Sequence, residues 1–75
     1  MGKTNGRLTL KQARDARDWT QQQLAKASEL TQGQISEIEN GAVKQPNIAT
    51  MLKLARALGM AVSLNPEAGL VFEEK

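Results

Sequence analysis

Amide, hydroxyl and carboxylate side chains dominate residues 32–37, QGQISE. Such groups donate and accept hydrogen bonds. The chain has no His and no Cys, which removes the usual acid–base groups at neutral pH and the soft ligands of zinc sites. The sequence also lacks a nucleophile–base pair and a glycine-rich phosphate loop. We therefore expect recognition through hydrogen bonds, with no catalysis, no metal and no cofactor.

Three short helices must position this segment, because three helix-start patterns lie 11 residues apart. In each pattern a Thr hydroxyl is expected to accept from the third helical N–H, while a Gln side chain returns to the Thr backbone. The three pairs are Thr9 with Gln12, Thr20 with Gln23, and Thr31 with Gln34. Helices of two or three turns bury too little surface to be stable alone, so they must pack on one another.

The apolar residues between the second and third starts fit two helices that share one inner face rather than a single long helix. These residues are Leu24, Ala25, Leu30, Ile35 and Ile38. Ala25 is small enough to let two helices cross closely near a tight turn. Asn40-Gly41 predicts the end of the third helix, at about residue 39, because Gly adopts the left-handed cap conformation without steric cost. Two helices at this spacing make sequence-specific DNA binding the first hypothesis.

Residues 10 to 59 resemble the Xre/Cro-type helix-turn-helix domain of phage repressors and many bacterial regulators. The matching elements are Trp19-Thr20-Gln21, Leu24-Ala25, Thr31, Ile35-Ser36, Ile38-Glu39-Asn40-Gly41, Pro46 and the run from Leu52 to Gly59, LKLARALG. The resemblance implies an all-α, lambda-repressor-like fold of four to five helices. Glu29 departs from it, standing where the family usually has Gly. A left-handed Glu costs about 1 kcal/mol, so we expect a turn that is strained or re-shaped.

The C-terminal part changes from a helical to an alternating pattern. The fourth helix, starting after Asn47, is expected to bury one apolar stripe: Ile48, Met51, Leu52, Ala55 and Leu58. Met60, Val62 and Leu64 then alternate with smaller residues, which predicts a short β-strand where many family members have a fifth helix. The predicted divisions are a flexible arm over 1–8, the DNA-binding domain over 9–59, and a strand and tail over 60–75. Within the arm, Lys3 and Arg7 either follow a DNA groove or have no role.

The strand suggests how two copies associate. Met60, Val62 and Leu64 form an edge that could pair antiparallel across a twofold axis. Compact antitoxins of the HipB and HigA type, which this chain resembles in length and in its trailing tail, carry such a strand. The alternative is an internal hairpin in which Leu70-Val71-Phe72 folds back over residues 65–69. Both arrangements can hold at once.

The third helix of a helix-turn-helix lies in the major groove with its first residues at the base edges. The residues expected to read bases are Gln32, Gly33, Gln34, Ser36 and Glu37. Gln32 is the expected lead reader, since Gln pairs bidentately with adenine, whereas the Gln34 side chain either caps the helix or reads a base. Residues expected at phosphates, from the helix N-termini and the loop after helix 3, are Thr20, Gln21, Thr31, Asn40, Lys44 and Gln45. The resemblance also implies a partly buried ion pair between Arg14 and Glu39.

Charge and hydropathy agree with a nucleic-acid partner. Residues 1–65 hold nine Lys and Arg against five Asp and Glu, a net charge of +4, whereas the last ten residues hold one Lys against three Glu, a net charge of −2. The basic body is expected to face phosphate. No apolar run approaches the length of a membrane span and no signal-peptide pattern opens the chain, so we expect a cytoplasmic bacterial or phage protein without a membrane partner.

The expected function is a DNA-binding transcriptional repressor, with the autoregulating antitoxin of a toxin–antitoxin operon as the favoured subtype. Its expected partners are a double-stranded DNA operator with an inverted repeat, a second copy of the chain as homodimer, and a cognate toxin. A phage repressor or a restriction–modification controller shares the same helices and needs no toxin. A protein-interaction module that has lost DNA binding is the other class considered.

Overall fold

The computed structural model of the 75-residue chain describes residues 7–74. Four helices are followed by an antiparallel two-stranded hairpin. The elements are α1 (Leu10–Ala16), α2 (Gln21–Ser28), α3 (Gln32–Glu39), α4 (Ile48–Leu58), β1 (Met60–Asn65) and β2 (Gly69–Glu74). The expected four helices and C-terminal strand are confirmed. The position of the fifth helix of the resemblance is taken by the hairpin.

The helix starts are local structures, and all three Thr-x-x-Gln predictions are confirmed. The hydroxyl of Thr31, for example, accepts from the backbone N–H of Gln34 at 3.1 Å, and the Gln34 side-chain oxygen accepts from the Thr31 N–H at 2.9 Å. The same reciprocal pair is present at Thr9 and Thr20. α4 begins differently, with the Asn47 side chain accepting from the Thr50 N–H at 2.8 Å. Each cap pairs N–H groups that have no partner within the helix.

The turn between α2 and α3 keeps its left-handed residue although no glycine is available. Glu29 has φ 63 and ψ 35, and its N–H donates to the carbonyls of Ala25 and Lys26. The Leu30 N–H also returns to the Ala25 carbonyl, at 2.9 Å. Of the two outcomes expected for this turn, the structure has the strained one: the closed helix end is retained, and Glu29 bears the conformational cost.

The core lies between the four helices and the inner face of the hairpin. Its largest fully buried side chains are Phe72, Leu24, Ile35, Leu54 and Leu58. The expected inward stripe of α4 is wrong at two positions, since Ile48 and Leu52 are 71% and 54% exposed. Leu54 is buried in their place because the hairpin packs on the α4 face that carries Leu54 and Leu58.

The hairpin also includes the end of the predicted N-terminal arm. Leu8 and Phe72 exchange two backbone hydrogen bonds of 2.8 Å each, and Arg7 lies 3.4 Å from the Glu73 carboxylate. The structure thus places residues 7 and 8, which belong to the predicted arm, along the edge of β2. Residues 1–6, with Lys3, lie outside the described residues. Within residues 7–74 no helix is long and apolar enough to cross a membrane.

We predict that Glu29→Gly stabilises the domain. Gly occupies the left-handed region freely, so relief of strain outweighs the greater freedom of Gly in the unfolded chain by about 0.5–1 kcal/mol. Glu29→Ala is the matched control, because it removes the same charge and keeps a Cβ. Urea unfolding of the three proteins measures the difference. Equal stabilities of the Gly and Ala variants would contradict the assignment of strain to this residue.

Candidate nucleic-acid interface

The first two turns of α3 present polar residues to solvent. Gln32, Gly33, Gln34 and Glu37 are exposed, and Ser36 is half-buried. Ile35, between them, is fully buried, so this side chain anchors α3 to the core while its neighbours face outward. Of the five residues predicted to read bases, four are exposed in the first two turns of α3 and Ser36 is half-buried there.

Gln34 is occupied by the helix cap. Its side-chain oxygen accepts from the Thr31 N–H at 2.9 Å and lies 3.2 Å from the Thr31 hydroxyl. Only its amide nitrogen remains for an outside partner. Thr31, predicted to contact phosphate, is committed to the same cap through its hydroxyl.

Among residues 7–74, no contact requires Gly at position 33. A Cβ built at this position would meet only the Thr31 hydroxyl, at 3.8 Å, which is an ordinary contact. Gly is also roughly 1 kcal/mol less favourable than Ala in a helix interior. The fold thus gives no reason for Gly33, and its role at the DNA backbone stays a prediction.

A chain of side-chain amides crosses from α2 to α3. The Gln32 Nε2 donates to the Gln21 oxygen at 3.3 Å, and the Gln22 Nε2 donates to the Gln32 oxygen at 3.3 Å. Gln22 was not among the predicted site residues. Its signal in the sequence was its place in the run Gln21-Gln22-Gln23 at a helix start. Only the crossing of α2 and α3 shows that Gln22, like Gln21, reaches Gln32.

Behind the amides lies an ion pair between Arg14 and Glu39, the two residues for which the resemblance implied one. The Arg14 Nε and Nη2 donate to the two Glu39 oxygens at 2.6 and 3.0 Å. Both side chains are nearly buried, at 11% and 6% exposed. Arg14 also donates to the Trp19 carbonyl at 2.8 Å, and Gln21 donates to Glu39 at 3.0 Å. One carboxylate therefore joins α1, α2 and α3.

The charged form of this pair is favoured in the folded protein. Burial raises the pKa of Glu39, but hydrogen bonds from Arg14 and Gln21, with the charges of Arg14 and Lys11, outweigh burial and hold the pKa below its ordinary value of 4.5. The hydrogen bond to Glu39 raises the pKa of Arg14 above its ordinary value, against the opposing effect of burial. Both groups stay ionised at neutral pH.

The residues predicted at phosphates lie at the starts of α2 and α3 and in the segment that follows α3. Thr20 and Gln21 lie at the N-terminus of α2, and Lys44 and Gln45 are exposed in the loop after α3. Asn40 is exposed as well, but its side-chain oxygen accepts from the Ala42 N–H at 3.0 Å and closes that loop. Gln21 differs from the others: it is half-buried and bonded to Glu39.

The residues predicted for dimerisation separate into two groups. Met60 is 3% exposed and belongs to the chain's own core, because the hairpin folds onto α4 and turns this side chain inward. Val62 is half-buried and Leu64 is 44% exposed. Val62 lines a groove of about 500 Å³ together with Leu52 and Ala55 of α4. The unpartnered apolar surface thus includes α4, which sequence reasoning had assigned to the core.

Comparison with known proteins agrees with this geometry. The helix-turn-helix family model HTH_3 matches residues 10–64. The chain belongs to the Xre-like helix-turn-helix family. As an Xre-like domain it is also similar to the uncharacterized HTH-type transcriptional regulator y4dL of Sinorhizobium fredii (strain NBRC 101917 / NGR234), with 38% identity over 58 residues. These residues make up 77% of this chain and 29% of the relative, so the chain spans less than a third of that protein's length.

The Arg14–Glu39 pair predicts a pH dependence of stability. An unfolded chain takes up a proton at Glu39 near pH 4.5, whereas the folded chain resists until a lower pH. The stabilisation from Glu39 is therefore complete above about pH 4.5 and is lost as pH falls through the lower folded pKa. Glu39→Gln should lower the free energy of unfolding by about 3 kcal/mol at neutral pH.

Urea unfolding at a series of pH values measures this. The difference between parent and Glu39→Gln should be constant near neutrality and shrink in acid. Glu37→Gln removes an exposed carboxylate from the same helix and should change stability by less than about 0.5 kcal/mol at neutral pH. A Glu39→Gln difference that persists unchanged in acid would show that the pair contributes through shape rather than charge.

Proposed function

We propose that this chain binds an inverted-repeat operator in double-stranded DNA as a homodimer and represses transcription there. The observation that carries the proposal is the N-terminal half of α3, where Gln32, Gly33 and Glu37 are exposed while Ile35 fixes the helix to the core. A helix held in this way can enter the major groove with its N-terminal residues at the base edges. The family and the basic body over residues 1–65 support the same partner.

Within this proposal each group of residues has a role. Gln32 reads adenine through its amide. Glu37 accepts a hydrogen bond from a neighbouring base, and Gln34 donates one through its amide nitrogen. Thr20, Lys44 and Gln45 contact phosphates on either side of the groove and orient the domain without reading sequence. Gly33 lets the helix backbone approach the DNA closely, because it carries no side chain on the exposed part of α3.

The proposed homodimer uses the outer edge of β1 as its contact surface. The single N–H and C=O of Phe72 are both used on Leu8, so its partner across the hairpin, Val62, makes a non-hydrogen-bonded pair with it. The Val62 N–H and C=O therefore point away from β2, to an edge that no strand covers within residues 7–74. By the two-residue alternation of a strand, Ser63 bonds to β2 instead.

The surface beside this edge supports association with a second copy. Every large apolar side chain that is exposed within the described residues belongs to α4 or β1: Ile48, Leu52 and Leu64. An uncovered edge flanked by apolar side chains invites strand pairing. Two β1 strands pairing antiparallel about a twofold axis would bring the α4 surfaces together and fix the spacing of the α3 helices. Successive major grooves on one face of DNA lie about 34 Å apart.

The subtype we favour is an autoregulating antitoxin that acts in the bacterial cytoplasm, with a toxin protein as further partner. Support for this subtype comes from the short strand directly after α4 and from the resemblance to compact antitoxins. A phage repressor or restriction–modification controller is the alternative. Co-purification of a tagged chain with the product of the neighbouring reading frame separates them, since only the antitoxin forms a stable complex that blocks a toxic activity.

DNA reading is tested by two substitutions with different expected signatures. Gln32→Ala should cost about 1–3 kcal/mol at one base pair of each half-site and relax the preference there. Lys44→Ala should weaken binding to all DNA sequences alike. It should also reduce the slope of log affinity against log salt concentration by about one unit. Fluorescence anisotropy on an operator selected from random DNA measures both. Unchanged base preferences in Gln32→Ala would remove the residue from the reading role.

Proline substitutions at two neighbouring positions of β1 test the proposed dimer. Val62→Pro removes an outward N–H and leaves the hairpin ladder intact, so it should shift the dimer to monomer and lower operator affinity with the helices still folded. Ser63→Pro is the matched control, because it removes an inward N–H and should destabilise the hairpin itself. Sedimentation and circular dichroism report the two effects. A Val62→Pro variant that is still dimeric would show that the interface lies on the helices. A parent chain that is monomeric at micromolar concentration would contradict the proposed homodimer.

A further inference from the structure

The segment that follows α3 is held by hydrogen bonds only as far as Val43. The Val43 N–H donates to the Glu37 carbonyl at 3.1 Å, and the chain is next fixed at Asn47, which caps α4. Between these two points Lys44 and Gln45 are exposed and make no hydrogen bond within residues 7–74. The place of Lys44 therefore depends on packing against another part of the chain.

The hairpin turn, residues 65–69 between β1 and β2, lies against this segment. A Cβ built on Gly69 would lie 3.4 Å from the Lys44 carbonyl oxygen, so the two backbones are neighbours. Gly69 is buried and has φ 84, a left-handed value that any other residue adopts only with strain. Ala68, Gly69 and Leu70 line a cleft of about 130 Å³ together with Val43 and Lys44. The hairpin turn is thus the part of the chain on which Lys44 packs.

The hairpin turn is itself held by the side chain of Asn65. The Asn65 oxygen accepts from the N–H groups of Glu67 and Ala68 at 2.8 and 2.9 Å. Asn65 also lies opposite Gly69 in the register of the hairpin. An Asn side chain that bonds the backbone two residues on stabilises a turn. The loop at Lys44 therefore packs on a turn that has the hydrogen bonds which Lys44 and Gln45 lack.

We propose that Gly69 is a positioning residue that holds Lys44 in place for a DNA phosphate. The inference rests on the proposed function, because it takes Lys44 as a phosphate contact. A loop that is already in place does not have to be ordered when the DNA binds, so more of the attraction between Lys44 and phosphate appears as affinity. The hairpin then has two roles: the turn supports the DNA interface, and the outer edge of β1 carries the proposed dimer contact.

Two variants disturb the hairpin turn in different ways. Gly69→Ala strains the turn at its left-handed residue, and Asn65→Ala removes the side chain that accepts its two N–H groups. Gly59→Ala is the matched control, because Gly59 is also left-handed, with φ 68. An added Cβ there would meet the Arg17 side chain and not the loop after α3. Circular dichroism verifies that each variant is folded.

The first measurement uses the free protein and needs no DNA. Heteronuclear NMR spectra of the labelled chain report the amide resonances of Lys44 and Gln45. We expect both resonances to move in Gly69→Ala and in Asn65→Ala, because the support of the loop changes, and to keep their parental positions in Gly59→Ala. Parental positions in both turn variants would overturn the positioning role, whatever the DNA measurements show.

The second measurement is a double-mutant cycle with Lys44→Ala on the selected operator. Each turn variant should lower the affinity by up to about tenfold, the value expected for loss of one contact to a charged group. Each should also reduce the slope of log affinity against log salt concentration by up to about one unit. In the Lys44→Ala background the turn variants should change the affinity by less than about twofold, because the contact on which they act is already absent. Gly59→Ala should keep the parental slope.

The outcomes separate the inference from the proposed function. Losses of affinity in the turn variants that add in full to the loss in Lys44→Ala would overturn the positioning role, since the turn would then act through the fold or the dimer. A parental salt slope in both turn variants would overturn it as well, and in both cases the DNA-binding proposal stands. A parent chain that binds no DNA would contradict the proposed function and this inference with it.

Discussion

A single buried ion pair connects most of this small domain. The guanidinium of Arg14 on α1 bonds to Glu39 at the end of α3 and to the carbonyl of Trp19 just before α2. Short helices have little stability of their own, so their relative placement depends on the contacts between them. The fixed fork of an Arg and a two-oxygen carboxylate set both distance and direction. Apolar contacts alone would allow the helices more than one arrangement.

The same ion pair is also linked to the exposed face of α3. Desolvation offsets much of the attraction between two buried charges, so the pair defines geometry more than it adds stability. Its effect extends outward because Glu39 also accepts from Gln21, which leads to Gln32 on the exposed face. In this way a charge in the interior of the domain and an amide at its surface form one connected network, and the turn at Glu29 holds the two helices that carry it.

The hairpin completes a core that the helices alone would leave open. Phe72 of β2 is fully buried, and β1 supplies Met60. Leu8 covers part of the outer edge of β2, whereas the outer edge of β1 has no strand beside it within residues 7–74. A chain of this size has a small core, and apolar side chains remain exposed on α4 and β1. Within residues 7–74 the hairpin is therefore covered in part at the β2 edge and uncovered at the β1 edge.

Helix starts and the outward face of α3 follow from the sequence alone, since each depends on residues within a few positions of one another. A capping box spans three residues, and Ile35 among polar neighbours specifies which face of α3 is buried. The resemblance supplied the long-range pair of Arg14 and Glu39, which composition and periodicity do not reveal.

Only the tertiary structure decided between alternatives that are equivalent in the sequence. α4 carries two overlapping apolar stripes, and the packing of the hairpin selected Leu54 over Leu52. Pairing of Leu8 with Phe72 joins residues far apart in the chain, so no local pattern predicts it. Gln22 reaches the Gln32 side chain because of the way α2 crosses α3. The physical reason is common to all three: a local pattern specifies which residues can be buried or bonded, and distant parts of the chain determine which of them are.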